Sequence, residues 1–399
     1  KQTVDYDNVL AQRIEERVAE IGADGKLVLD ADGNVHLVNL LEKLLVPLLA
    51  KLGNLVLDGG IWLNTQRPEW NDANNALVGK GLSVVTLCYL RRYISFFREL
   101  LGKDAYDTVP LSTEVNEFYT QLHDILRRFQ STLNYAVDDE LRRSLMDALG
   151  EAGSDYRWKY YENGFSGEIK HSSVREIVSF LNLAQQYVEH TLRSNKRSDG
   201  LYHAYNILQL EKRSASVRHL YEMLEGQVAI LSSGLLSGDE SLALLQSLRD
   251  SSLYEPAQKS FILYPDRDLP GFLQKNCISQ DQITDIRLFE MLLDAGDTSI
   301  VVRDINGIIH FGGHIHNFRD VSRALNVLRK DPKYTDRVDV DRAKVFSLFE
   351  ATFRHDEFTG RSGTFFAYEG LGSVYWHMVA KLVLAAQETV IRFKDTPIA

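Results

Sequence analysis

Apolar positions recur at three- and four-residue spacing through most of the chain, the period of helices with one buried face. Val9, Leu10, Ile14, Val18 and Ile21 mark a first helix over 7–21. Residues 40–52 form a strongly apolar second helix, stopped by Gly53. Pro68 disfavours helix at Arg67, so 65–68 reads as a loop, and Asn71 or Asp72 then caps a long apolar run over 76–101. More helices are predicted from Thr113 through Phe129 and over 138–149, with Gly150 as the stop. Others follow over 173–192, 217–236, 240–248, 321–328, 341–353 and 374–391.

The strand period of two appears in short pieces only. Residues 26–38 alternate around Asp32-Gly33, and 299–311 around Asn306-Gly307, both hairpin signals. Residues 261–264 are strand-like until Pro265. Two stretches, 156–165 and 197–206, mix aromatic and hydrogen-bonding side chains and read as loops. There is no regular alternation of strand and helix and no short repeat. The pattern predicts a mainly α chain with small β-hairpin additions. Helices joined by aromatic-polar loops predict a toroid of helical hairpins whose loops line one cleft. Residues 1–399 make a single domain in this reading, with a β-containing insertion at about 255–315.

Composition narrows the classes. A net charge of −10 argues against nucleic acid as a partner, since phosphate contacts need clustered Lys and Arg. Arg91-Arg92, Arg127-Arg128 and Arg142-Arg143 are scattered pairs that read as solvated helix faces. Two cysteines, Cys88 in an apolar run and Cys277, exclude a disulfide framework and an all-cysteine metal site. No apolar run reaches the roughly 18 residues a membrane span needs. The chain begins at Lys1 with neither Met nor a signal peptide, which predicts a soluble, cytoplasmic protein trimmed or excised from something longer.

Candidate chemistry gathers in residues 60–77. Trp62, Arg67, Trp70, Asn71 and Asn75 combine aromatic faces, which stack on the C–H faces of pyranose rings, with groups that bond hydroxyls. Tyr202, His203 and Tyr205 form a second such group, and Tyr368, Trp376 and His377 a third. Trp70 beside Asp72 would strip water from the carboxyl, the environment in which a carboxylic acid keeps its proton near neutral pH. Glu369, flanked by Gly370 and Gly372, is the opposing carboxylate. The plainer roles are an N-cap at Asn71 or Asp72 and a helix-entry carboxylate at Glu369. His310, His314, His316 and Asp320 have the composition of a metal cluster, but no helix fixes their spacing, and no metal or organic cofactor is expected. Asp138-Asp139-Glu140 reads as a helix start, and Ser232-Ser233-Gly234 lacks the context of a nucleophile elbow.

Trp70-Asn71-Asp72-Ala73-Asn74-Asn75 resembles the Trp-Asn-Asp-Gly segment of cellobiose-phosphorylase-like enzymes, members of the six-hairpin (α/α)6 glycosidase superfamily. Ala73 stands where that family usually has Gly. Gly363-Thr364 opens a Gly-rich loop that resembles the family's phosphate-proximal loop. The resemblance implies an (α/α)6 toroid and puts Asp72 on the family's general acid. The expected reaction is cleavage of a glycosidic bond in a β-linked glucan or oligosaccharide, with inversion. In a hydrolase Glu369 activates water. In a phosphorylase inorganic phosphate is the co-substrate, held by Arg361, Ser362, Thr364 and His377. Hydrolysis stands ahead because Glu69 and Glu369 both offer a base. A separation of roughly 6.5–9.5 Å between the two carboxyls would accompany inversion. The rival from another class is a glycan-binding or scaffold domain that turns nothing over.

Overall fold

The computed structural model describes residues 7–30, 32–64, 77, 79–102, 107–265, 271–353 and 373–395. Two compact units divide the chain, Lys1–Asp266 with Gly370–Ala399, and Arg267–Glu369. The architecture is mainly α with small antiparallel sheets.

In the first unit, helix starts are written locally. α1 (Asn8–Ile21) is capped by Asp7, which accepts from Leu10 N at 2.9 Å. α2 (Leu40–Leu52) is capped by Asn39 and buries Leu45, Leu48, Leu49 and Leu52, one helical stripe. The 26–38 hairpin is reduced to a single bridge, Leu29 to Val35, with Gly33 at φ +82°. β1 (Leu55–Val56), β2 (Gly60–Trp62) and β3 (Gly81–Ser83) precede α3 (Val84–Leu101). The helix expected from residue 76 therefore starts later. Gly79 has φ +82°, and a Cβ on Gly81 would lie 2.3 Å from Leu77 Cβ, so the chain turns tightly before β3. Ser83 caps α3 by accepting from Thr86 N at 3.0 Å, and the expected caps Asn71 and Asp72 lie outside the described residues.

β4 (Thr108–Ser112) pairs with β5 (Ile169–Ser173) from Thr108–Ser173 to Ser112–Ile169, a ladder that local pattern did not predict. Between them run α4 (Thr113–Arg128) and α5 (Asp139–Asn163). α5 passes through the predicted stop at Gly150 and the predicted loop at 156–165, ending only at Gly164. α6 (Val174–Ser194) starts at the Ser173 cap. β6 (Tyr205–Leu210) and β7 (Ala215–His219) complete a five-stranded antiparallel sheet in the order β1-β2-β3-β6-β7. The helix expected over 217–236 is shortened accordingly to α7 (Leu224–Ser233). α7 is buried nearly all round, packed on α3. α8 (Gly238–Asp250) carries a full capping box from Ser237 and Glu240, and β8 (Tyr254–Glu255) pairs with β9 (Ser260–Phe261).

The second unit holds α9 (Phe272–Lys275), α10 (Gln280–Thr284) and α11 (Arg287–Asp294). β10 (Val301–Arg303) and β11 (Ile309–Phe311) form the predicted hairpin, with Gly307 at φ +83°. α12 (Phe318–Leu328) and α13 (Thr335–Phe353) close a core that includes Phe289, Ile300, Phe311, Val321, Leu325, Val345 and Phe349. Buried Asp341 caps α11 by accepting from Leu288 N at 2.9 Å. The chain then returns to the first unit as α14 (Trp376–Phe393), which packs on α7. Among the described residues no helix is long and apolar enough to cross a membrane.

Candidate functional site

The β1–β2 turn is Leu57-Asp58-Gly59, leading into Gly60 of β2, and its backbone is unusual. Asp58 sits at φ +59°, a conformation that non-glycine residues rarely adopt, and Gly60 is at φ +129°. A Cβ on Gly60 would come within 2.8 Å of the Ser83 backbone, so glycine is required there. Arg142 of α5, 6 % exposed, holds the turn. Its Nε donates to Leu57 O at 2.9 Å, Nη1 to Ala215 O at 2.9 Å, and Nη2 to Val137 O and Asp58 Oδ2, both at 3.1 Å. Nη1 also meets Asp139. Arg142 is thus buried, against the expectation of a solvated face, because five acceptors need its fork.

Around this turn a polar network continues. Asn195 Nδ2 donates to Asp58 O at 3.0 Å, and Asn206 Nδ2 to Gly59 O at 2.7 Å. His190 Nε2 lies 3.3 Å from Asp58 Oδ1. Burial raises the Asp58 carboxyl's pKa, but hydrogen bonds from His190, Arg142 and Ser194 outweigh it and hold it below the ordinary value. His219 Nδ1 donates to Asn206 Oδ1 at 2.8 Å, and its ring stacks on His203 with centroids 4.2 Å apart. Burial, aided by the neighbouring His219, drops His203 to about 4.

With the turn fixed, β2 delivers Trp62 and then Asn64 to the wall of a cleft of about 700 Å³. Trp62 is half-buried, its Nε1 donating to Gly79 O at 3.4 Å. Asn64 Nδ2 donates to Asn54 Oδ1 at 2.6 Å, so two amides stand side by side. The facing wall is one side of α5, where Arg143, Asp147, Gly150, Glu151, Ser154 and Asp155 recur at helical spacing. Phe118 and Tyr156, stacked at 4.9 Å, supply aromatic lining. Arg143 Nε grips both oxygens of Asp147, at 2.8 and 2.7 Å. The Glu151 carboxylate, by contrast, takes no hydrogen bond among the described residues. A tryptophan edge, paired amides, carboxylates and arginines in one elongated hollow suit a hydroxyl-rich ligand, and the volume is that of ordinary ligand sites, roughly 300–1,000 Å³.

Of the candidate catalytic and sugar-binding residues predicted from sequence, Trp62 is the one among the described residues that lines this cleft. Tyr202 and Tyr205 are packed in the core, 2 % and 1 % exposed, with Tyr205 Oη donating to Glu225 Oε2 at 2.9 Å. His203 is committed to Leu220 O at 2.8 Å and to the His219 stack. Trp376 and His377 are exposed on the first turn of α14. Asp72, Glu369, Arg67, Trp70, Asn71, Asn75, Arg361 and Tyr368 lie outside the described residues, as do Glu69, Ser362 and Thr364. The histidines of the second unit go to separate partners. His310 Nε2 lies 3.1 Å from Asp304, His314 Nε2 donates to Ser299 O at 3.0 Å, and His316 pairs with Asp320 at 3.4 Å. Among the described residues no group of three metal-ligating side chains is placed to hold an ion.

The α5 wall is hidden in the sequence because Gly150 has the look of a helix stop and 156–165 that of an aromatic-polar loop. The signal was present nonetheless, as Arg143, Asp147, Glu151 and Asp155 at four-residue steps.

Residues 269–356 match the family model of GH149 phosphorylase insertion domain 2. The matched stretch lies inside the second compact unit, Arg267–Glu369. It connects the chain to a glycoside phosphorylase-like family through that unit alone. No curated protein matches the chain.

Proposed function

We propose that the chain is part of a glycoside phosphorylase acting on a β-linked glucan or oligosaccharide. The observation that carries the reading is the insertion-domain match, in a chain whose other unit bears the Trp70-Asn71-Asp72 segment. Phosphorolysis thereby moves ahead of hydrolysis. The helices of the first unit are read as part of an (α/α)6 toroid, and the Trp62 cleft as sugar-binding surface. Asp72 follows Asn64, a cleft residue, by eight positions along the chain.

In this mechanism Asp72 protonates the glycosidic oxygen as the bond to the anomeric carbon breaks. Phosphate attacks that carbon from the opposite face, giving an inverted sugar 1-phosphate and a shortened glycan. Arg361, Ser362, Thr364 and His377 hold the phosphate, whose charge needs forked or hydroxyl donors. Glu369 needs no role as base, because phosphate is itself the nucleophile.

The test is a β-glucan oligosaccharide incubated with and without inorganic phosphate. Sugar 1-phosphate formed only with phosphate is expected, and Asp72→Asn should lower the rate by about 100-fold or more while glycan binding persists. Release of free reducing sugar without phosphate would instead establish a hydrolase with Glu369 as base. Binding without turnover would establish a glycan-binding domain.

A further inference from the structure

The outer face of α12, in the second unit, carries a concavity of about 470 Å³ lined by Arg319, Ser322, Arg323, Asn326, Val327 and Lys330. Positions 319, 323 and 326 recur at helical spacing, and Lys330 follows in the turn after Leu328, so three cations and an amide line the hollow. Arg342 of α13 is bonded in a fixed pose to two of the lining residues. Its Nη1 donates to Asn326 Oδ1 at 3.0 Å and its Nη2 to Ser322 Oγ at 2.9 Å, with the guanidinium over Phe346 at 5.5 Å.

Both anchors of Arg342 are neutral, so its charge is not cancelled. Among the described residues no carboxylate pairs with Arg319, Lys330 or Arg342. Arg323 has only a long contact to Asp320, 3.5 Å, from a side chain 77 % exposed. Asp320 is itself engaged, accepting from His316 N at 3.1 Å and pairing with the His316 ring. An ordinary solvated helix face interleaves acids with its bases; this one gathers four cations on a chain whose net charge is −10.

We propose that this groove binds a phosphoryl group, either inorganic phosphate or the phosphate of a sugar ester. Several guanidinium forks converging on one ligand call for three or more acceptor oxygens, which a phosphoryl group offers and a single carboxylate does not. The choice of phosphate over other tetrahedral anions rests on the phosphorolytic reading above; the cationic groove itself does not. The site is separate in sequence from Arg361, Ser362 and Thr364, and adds a second phosphate-responsive surface to the protein.

The experiment is calorimetric titration of the whole chain at low salt, on an Arg361→Ala background that removes the one guanidinium of the proposed catalytic phosphate site. The probes are inorganic phosphate, glucose 1-phosphate, sulfate and citrate. Arg319→Ala with Arg323→Ala should weaken phosphate binding by about ten-fold or more, and Arg342→Gln similarly. Circular dichroism checks that each variant is folded, and the two exposed α12 positions keep the test open should Arg342→Gln unfold. Binding should strengthen as pH rises from 5.5 to 7.5, because a phosphomonoester gains its second charge near about 6, whereas sulfate binding should not rise. His316 and Asp320 are the titratable side chains beside Arg323, and the sulfate arm separates their effect from that of the ligand. Comparison of the first two probes tells free phosphate from a sugar ester. Affinity unchanged in the α12 variants, or sulfate and citrate binding as well as phosphate, overturns the proposal. Neither result bears on turnover, so failure of phosphorolysis with groove binding intact would reject the enzyme reading alone.

Discussion

Five acceptors converge on the guanidinium of Arg142, three backbone carbonyls and the carboxylates of Asp58 and Asp139. No other side chain offers that fan of donors, and removing it leaves buried carbonyls and the Asp58 charge without compensation. Arg142→Met should therefore destabilise the first unit by about 3 kcal/mol or more, read as a shift in urea midpoint. Arg142→Lys should recover only part of the loss. An Arg142→Met midpoint within error of the parent would mean that the turn holds itself. The stacked histidines beside it make a second prediction, about pH. His203 titrates at about 4 in the fold against 6.5 unfolded, so between those values the unfolded chain binds the extra proton. Its contribution is complete above about 6.5 and is lost as pH falls towards 4. His310, held above its ordinary value by Asp304, works in the opposite direction. Urea midpoints at pH 7 and pH 4.5 should converge partly in His203→Gln, whereas an unchanged gap would place the acid sensitivity elsewhere.

On the scale of elements, α5 unites the cleft wall with the Arg142 hub, and its glycines decide the cleft's width. A Cβ on Gly150 would meet nothing within 4 Å, and one on Gly153 only Phe118 Cζ at 3.8 Å. Neither glycine has a positive φ, so the backbone does not need them. Gly150→Ala should stabilise the helix by up to about 1 kcal/mol. Gly150→Leu should fold as well but fill the hollow, weakening glycan binding by about ten-fold or more with little change in Tm. Undiminished binding in Gly150→Leu would remove the cleft from the functional reading. The same glycines explain where the sequence could and could not be read. α2, α12 and the 301–311 hairpin were legible because cap, stripe and Asn-Gly turn are local signals that agree. Gly150 was read as a stop although nothing after it breaks the helix until Gly164, and Trp158, Tyr160 and Tyr161 sit on its final turns as ordinary helical side chains. β3 and β7 were hidden for a different reason. Each is short and exists because β6 pairs on both sides of it, a partnership more than a hundred residues long in the case of β3. At the site, Trp62 was legible as an aromatic among amides. The burial of Tyr202 and Tyr205 was not, since composition is the same for a loop that faces a sugar and one that faces the core.

For the whole molecule, the decisive geometry is where the first unit opens to admit the second. Leu263 N donates to Ser373 O at 3.1 Å, so the segment that leaves the first unit and the one that rejoins it are hydrogen-bonded to each other. Leu263 also accepts from Leu224 N at 3.1 Å, tying this junction to the start of α7. Chain ends held this close are the condition under which an insertion can be spliced into a domain without disturbing it. The second unit meets the other condition, a core of its own from Ile278 to Phe349. Replacing residues 267–369 with a short Gly/Ser linker should then leave the first unit cooperatively folded, its melting temperature within about 5 °C of the corresponding transition in the full chain. Residues 267–369 made alone should give their own cooperative transition. Glycan binding at the Trp62 cleft should survive the excision, and phosphorolysis should not, because the proposed phosphate contacts Arg361, Ser362 and Thr364 leave with the insertion. Should the linker variant instead melt without cooperativity, the Leu263–Ser373 junction is held by residues 267–369 and does not hold itself, and their reading as a self-contained insertion would have to be abandoned.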